Sequence, residues 1–294
     1  MCKPSPQQEL NLPGHRKAAK LRHVIALPLI IEPDSDVSDF AAVQVDAVVA
    51  GRTYRMMLDT GAAVTQLVAD EYLTSLPVVS EDTSAGAFGR KVTYPVVRIP
   101  DLAIGDLQVG ALEVTCGPKL LGSMVGMDVL GRRRCHLRLE ANILELDALP
   151  DHVLAQTLAT DSRRHASIEL SWPGITARAL VDSGSPPTLV NKEFRHNYPE
   201  LFTQIGMTSG GDASGDHTDT PVLLMHGPVI GGHRFTAHKV VAVDLSGING
   251  ATEYPSDLIL GYSTLRQADW LFDFPGGKWD ITAMKVSEDK PASS

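Results

Sequence analysis

Leu58-Asp59-Thr60-Gly61-Ala62 is echoed 123 residues later by Val181-Asp182-Ser183-Gly184-Ser185. Each string is an apolar residue, an aspartate, a hydroxyl residue, a glycine and a small residue. Each closes an apolar run, Met56-Met57-Leu58 in one case and Ala179-Leu180-Val181 in the other. A carboxyl group at the end of a buried strand costs free energy unless something uses it. Two of them in matching contexts point to a working pair built by internal duplication.

The repeat extends well beyond the two strings. Thr83-Ser84-Ala85-Gly86 matches Thr208-Ser209-Gly210-Gly211 at an offset of 125, and Tyr94-Pro95-Val96-Val97 matches Thr220-Pro221-Val222-Leu223 at 126. Ile104-Gly105 matches Ile230-Gly231, again at 126. Met124-Val125-Gly126-Met127 matches Ile259-Leu260-Gly261-Tyr262 at 135, and similar endings follow at Leu137-Arg138-Leu139-Glu140 and Leu271-Phe272-Asp273-Phe274. The order never changes, and the main insertion is 9 residues within Ser246 to Asp257. A period this long means two domain-sized units rather than a solenoid.

Composition agrees with that division. A chain of 294 residues can build two lobes with cores of their own, and 43% apolar with 21% charged residues describes a globular protein. The eight-residue apolar run Val24 to Ile31 contains Pro28 and is too short to span a bilayer. It precedes Glu32, Asp34 and Asp36 with no small-residue cleavage site, so neither a membrane span nor a signal peptide is expected. A net charge of −9 argues against nucleic acid as a partner. Cys2, Cys116 and Cys135 leave one thiol unpaired in any disulfide scheme and show no Cys-x-x-Cys spacing; Cys116 and Cys135 read as small buried residues. No metal or cofactor is expected, and the lack of an export signal or disulfide set points to the cytoplasm.

The chain divides into a basic leader (1–23), a first lobe (24–149), a connection (150–165), a second lobe (166–284) and a tail (285–294). The leader carries Lys3, Arg16, Lys17, Lys20 and Arg22 against Glu9, a net +4 that leaves −13 on the remainder. Within each lobe the pattern is mostly β. Val43 to Val49 and Thr53 to Leu58 read as a hairpin around Ala50-Gly51-Arg52, repeated by Ile168 to Trp172 and Thr176 to Val181 around Pro173-Gly174. After each acid comes a short strand, Thr65 to Val68 or Thr188 to Val190. A helical segment follows, Ala69 to Leu76 or Asn191 to Tyr198, the second with Asn191 as its N-cap. Further short helices are expected after Gly126 and Gly261.

Asp-Thr/Ser-Gly-small followed by apolar-apolar-Gly, twice in one chain, resembles the aspartic proteases. The resemblance runs from about Val43 to Ala283. Val125-Gly126-Met127-Asp128-Val129-Leu130 is similar to the compact retroviral-type, or retropepsin-like, branch, while two lobes in one chain resemble the pepsin layout. The resemblance implies a mainly β, two-lobed, pseudo-twofold acid-protease-type barrel fold with short helices. It implies that Asp59 and Asp182 are the catalytic pair, that Thr60 and Ser183 hydrogen-bond across the interface, and that Gly126 and Gly261 let a strand pass tightly beneath each loop. The segments holding Gly86 and Phe88, and Gly210 and Gly211, correspond to the family's flap, so these residues would bind substrate.

The chemistry explains the residue types. Hydrolysing a peptide bond without a metal needs a base for water and an acid for the carbonyl oxygen. Two carboxyls held close together cannot both ionise, so they share a proton and supply both roles. Gly61 and Gly184, lacking a Cβ, let the backbone approach the carboxyls closely. The expected function is therefore an aspartic endopeptidase that acts on peptide or protein substrates, as a monomer because both half-sites lie in one chain. The competing expectation is a catalytically silent module of the same fold that binds extended peptides or scaffolds a partner. Pro186 and Pro187, which stiffen the second loop, are the feature that bears on that choice.

Overall fold

The computed structural model describes residues 24–85, 91–120, 122–149, 153–211, 217–250 and 252–285. The basic leader 1–23 and all of the tail but Lys285 lie outside the described residues. Among the described residues about 52% lie in strands and 11% in helices, so the protein is mainly β.

Each half is organised around the hairpin that leads to its acid. Strand Ala41–Val49 buries every second residue (Ala41, Val43, Val45, Ala47 and Val49), the period expected of a strand with one face on the core. Ala50 and Gly51 both take positive φ, 48° and 76°. That is the mirror-image two-residue turn whose twist suits a hairpin. The chain returns as Arg52–Leu58, with Met56 and Leu58 inside. In the second half Ala166–Trp172 pairs with Ile175–Val181 around Pro173-Gly174.

Two ten-stranded sheets follow one plan. In the first, Arg52–Leu58 lies between Ala41–Val49 and Ser123–Val125; in the second, Ile175–Val181 lies between Ala166–Trp172 and Leu258–Leu260. The inner contacts are parallel, placing Val125 beside Leu58 and Leu260 beside Val181. The strand that runs into Gly126 or Gly261 therefore lies against the strand that ends in an acid. Gln66–Val68 and Thr188–Asn191 complete the crossing from the other side, antiparallel to the same inner strands.

Two long hairpins stand at the sheet edges, Val78–Ala85 with Lys91–Ile99 and Phe202–Gly211 with His217–Met225, and they contain the segments expected to act as flaps. Pro95 opposes Glu81 and Pro221 opposes Met207, and a bulge falls at Val79 in one and Ile205 in the other. The equivalence is thus 126 along both arms, one residue away from the 125 that the Thr-Ser letters of the first arm suggested. The described arms stop short of both tips, 86–90 and 212–216.

A third sheet joins the two halves of the chain. Arg134–Arg138 pairs antiparallel with Ala268–Asp273, flanked by Ile143–Leu146 and Lys278–Met284, with Ile25–Pro28 and Gln156–Thr157 at the edges. Residues read as belonging to separate lobes therefore share one six-stranded sheet. The stretch 150–165, read as a connection, supplies Gln156–Thr157 to this sheet and Ala159–Thr160 to the second large one. Leu137 opposes Trp270 and His136 opposes Leu271, so corresponding strands of the two halves pair with each other. Trp270, fully buried, stacks on Phe272 and Trp279 at centroid distances of 5.9 and 5.8 Å, and its Nε1–H donates to Leu265 O at 2.8 Å. Satisfying the indole N–H lets the whole ring be buried without an orphaned donor.

The longer loop of the second half contains helix Ser246–Asn249. Leu245 and Ile248 close a smaller apolar cluster with Leu180, Val241, Val243 and Ile259. Phe40, from the first half, is buried in the same cluster. Beside it Asp39 bridges Arg266 at 3.4 Å and Lys239 at 3.3 Å. Cys116 and Cys135 are buried free thiols, and burial pushes both above the ordinary thiol range. Among the described residues no helix is long and apolar enough to cross a membrane.

Candidate active site

Both acids begin their loops in the same way. Asp59 N–H donates to Val125 O and Asp182 N–H to Leu260 O, each at 3.0 Å. The loops then turn back under their own carboxyls. Gly61 N–H and Ala62 N–H both donate to Asp59 Oδ1 at 2.8 Å, whereas Asp182 Oδ1 receives Gly184 N–H at 2.9 Å. Ser185 N–H reaches the backbone carbonyl of Asp182 at 3.3 Å and also acts on its carboxyl. In the second loop Ser185 Oγ donates to Pro187 O at 2.7 Å, and the two prolines sit within this arrangement.

The loops interlock. Thr60 Oγ1 donates to Val181 O at 2.9 Å and accepts Ser183 N–H at 3.0 Å. Ser183 Oγ donates to Leu58 O at 2.6 Å and accepts Thr60 N–H at 3.2 Å. Each hydroxyl thus spans to the strand of the other half, and both residues are buried. This network brings the carboxyls of Asp59 and Asp182 into mutual hydrogen-bonding contact. A Cβ on Gly61 would lie 2.6 Å from Asp182 Cγ, and one on Gly184 would overlap Cγ of Asp59. Only glycine fits at either place.

Burial pushes both carboxyls above the usual carboxylate range. On Asp59 that push is opposed by the hydrogen bonds from Asp182, Gly61 and Ala62. On Asp182 the charge of Asp59 and their shared hydrogen bond add to burial, so Asp182 is raised well above the usual range. The pair titrates as a unit and holds its shared proton more tightly than a lone exposed carboxyl would.

A second tier supports each loop, and sequence reasoning missed it. Asp128, buried, accepts Thr65 N–H at 3.0 Å and Thr65 Oγ1–H at 2.7 Å, while Thr65 Oγ1 accepts Gly126 N–H at 3.1 Å. In the second half Thr188 takes the place of Thr65 and accepts Gly261 N–H at 3.1 Å. Its own N–H donates to Ser263 Oγ at 2.9 Å, and its Oγ1 lies 2.6 Å from Thr264 Oγ1. The signal was present: Thr65 and Thr188 stand 123 apart, the offset of the acids, and Asp128 and Ser263 each follow a crossing glycine by two. A Cβ on Gly126 would meet Val64 C at 2.5 Å, and one on Gly261 would meet the carbonyls of Ser185 and Pro187. Both glycines therefore lie directly under the acid-bearing loops.

The structure thus gathers Asp59, Thr60, Gly61, Asp182, Ser183, Gly184, Gly126 and Gly261 in one place. Gly210 and Gly211 stand at the outer end of the second flap, opposite Thr218 and His217. Gly86 and Phe88 lie outside the described residues. Among the described residues no group of three His, Cys, Asp or Glu side chains is placed to hold a metal ion.

Residues 45–132 match the model of a family described as gag-polyprotein putative aspartyl protease. The matched span contains Asp59-Thr60-Gly61, the first flap and Gly126, and ends before the second copy begins. The match supports the aspartic protease superfamily and, in general terms, an aspartic-protease function. Comparison with curated proteins gives no match.

Proposed function

We propose that this chain is an aspartic endopeptidase whose catalytic dyad is Asp59 and Asp182, one from each of two lobes, 24–149 and 166–284. The observation that carries the reading is the contact between the two carboxyls, held by the reciprocal Thr60–Ser183 hydrogen bonds. Two carboxyls with raised proton affinity, one ionised and one protonated, are what metal-free amide hydrolysis needs.

Asp59, with two backbone donors on Oδ1, is the carboxylate of the pair and takes a proton from water as that water attacks the peptide carbonyl carbon. Asp182 gives its proton to the carbonyl oxygen, so the tetrahedral diol forms without a free oxyanion. Collapse of the diol returns the hydroxyl proton to Asp182 while Asp59 protonates the amide nitrogen, and the C–N bond breaks. The dyad ends in its starting state. The flap hairpins supply strand edges suited to an extended peptide, with Gly86, Phe88, Gly210 and Gly211 as candidate substrate contacts. One chain carries both half-sites, so the monomer is the working unit.

Cleavage of an unstructured protein between about pH 4 and 6, compared with Asp59→Asn and Asp182→Asn, tests the reading. Each substitution should lower kcat by about 10²–10⁴-fold. Equal inertness of wild type and folded variants across that range would turn the reading to a peptide-binding module.

A further inference from the structure

The two halves differ beneath their acids. The first loop rests on a carboxylate, Asp128; the second rests on a chain of neutral groups that ends at an imidazole. His238, buried on strand His238–Val243, places Nε2 2.7 Å from Thr264 Oγ1 and Nδ1 2.8 Å from Thr236 O. Thr264 Oγ1 lies 2.6 Å from Thr188 Oγ1, which receives Gly261 N–H at 3.1 Å. No counterpart exists in the first half, where the position equivalent to His238 at the 126 offset is Leu112.

The direction of this chain follows from its ends. A carbonyl oxygen only accepts, so Nδ1 carries a proton and donates to Thr236 O. In a neutral ring Nε2 is then an acceptor and receives Thr264 O–H. Thr264 Oγ1 in turn accepts Thr188 O–H, and Thr188 Oγ1 accepts Gly261 N–H. Every group has a partner. A protonated ring donates from both nitrogens. Thr264 O–H must then turn toward Thr188, and Thr188 O–H is left with Gly261 O at 3.5 Å, a long contact.

We propose that His238 is a positioning residue for the second half of the dyad, whose neutral ring sets the polarity of the hydrogen-bond chain through Thr264 and Thr188 that fixes the Asp182 loop. Its protonation reverses that chain and loosens the loop. The inference rests on the endopeptidase reading above. Thr188 follows Pro187 directly, and Gly261 packs against the carbonyls of Ser185 and Pro187, so a shift at Thr188 is felt by the loop that holds Asp182.

Asp39, ahead of strand Ala41–Val49, is the acid that acts on His238, and Asp39 is itself held by Lys239 on the same strand as His238 and by Arg266 beyond helix Tyr262–Leu265. The residue opposite His238 on the neighbouring strand is Met225, and Thr188 on the other side opposes Val240. Burial keeps the ring proton affinity below the ordinary histidine range, against the opposing pull of Thr236 O and Asp39.

Nitrogen-15 NMR of the histidine rings in the full chain, together with His238→Gln and His238→Leu, tests the proposal. At pH 7 the His238 ring should show a protonated Nδ1 and a bare Nε2. His238→Gln, a neutral acceptor at every pH, should keep kcat within about twofold at pH 6 and extend activity to lower pH. His238→Leu, which orphans Thr264 O–H, should lose on the order of 10–100-fold in kcat with KM little changed. Because unfolded histidine takes up a proton below about pH 6.5 and the buried ring resists it, wild type should lose stability on acidification through that range faster than His238→Gln. An Nε2-protonated tautomer, identical pH profiles for wild type and His238→Gln, or full kcat in His238→Leu overturns it. If the wild type cleaves nothing, the endopeptidase reading falls while the tautomer and the pH dependence of stability still judge the chain.

Discussion

Thr60 and Ser183 exchange two hydrogen bonds across the two halves, and each hydroxyl donates a further one to the strand that carries the other's acid, at Val181 O and Leu58 O. All of these groups are buried, so removing one hydroxyl leaves a carbonyl and an N–H with no replacement from solvent. Thr60→Val should therefore lower unfolding free energy by about 2–4 kcal/mol, from roughly 1–3 kcal/mol for each orphaned group. Thr60→Ser, which keeps the oxygen, should stay close to wild type. Denaturant titration separates the two; equal stability of both variants would show the bonds to be ornamental.

Gly61 and Gly184 define how close the carboxyls can come. Alanine at either position forces a methyl group into the partner acid's carboxyl. The loops must then part, and a displacement of about 1 Å costs on the order of 100-fold in rate. Gly61→Ala and Gly184→Ala should each show that loss in kcat while remaining folded by circular dichroism. Retention of even a third of the activity would contradict the close packing described above.

The raised proton affinity of the dyad fixes a sign for stability against pH. A carboxyl whose folded value lies above its unfolded value binds more protons when folded, so stability is lost as pH rises from about 3.8 toward the folded value. Asp182→Asn, neutral at every pH, escapes that loss. Its melting midpoint should exceed that of wild type at pH 7 and converge with it near pH 3. The opposite order at pH 7 would mean that the ionised pair is stabilising.

Phe40 and Asp39 make adjacent contacts from the first half to the second, with very different weight. Asp39 and its cationic partners are all partly exposed, so Asp39→Asn should cost less than about 1 kcal/mol. Phe40, 3% exposed in the cluster with Leu180 and Ile259, should cost about 3–5 kcal/mol when replaced by alanine. Equilibrium unfolding of the two variants gives the comparison directly.

The acid loops, the hairpins leading into them and the crossing glycines were legible because each is specified locally and written twice. A strand that must end in a carboxyl, a turn with no room for a Cβ and a strand passing under it leave the same letters in both copies. The six-stranded sheet leaves no such trace. Its pairing of Leu137 with Trp270 joins residues far apart in sequence, and Gln156–Thr157 is too short to give a periodic signal. The flap register slipped by one because Thr, Ser and Gly recur freely in a polar hairpin, whereas the equivalent bulges at Val79 and Ile205 appear only in the pairing. His238 was invisible to the comparison of copies because Leu112 stands in its place.

Pairing of Arg134–Arg138 with Ala268–Asp273 has a bearing on dilution. A site assembled from two separate chains empties as protein concentration falls, because association competes with translational freedom. Here the corresponding strands meet inside one fold, and the tether supplies a fixed effective concentration of each half for the other. Specific activity should then be the same at nanomolar and micromolar protein, and heat should abolish it only at the temperature where the shared sheet melts.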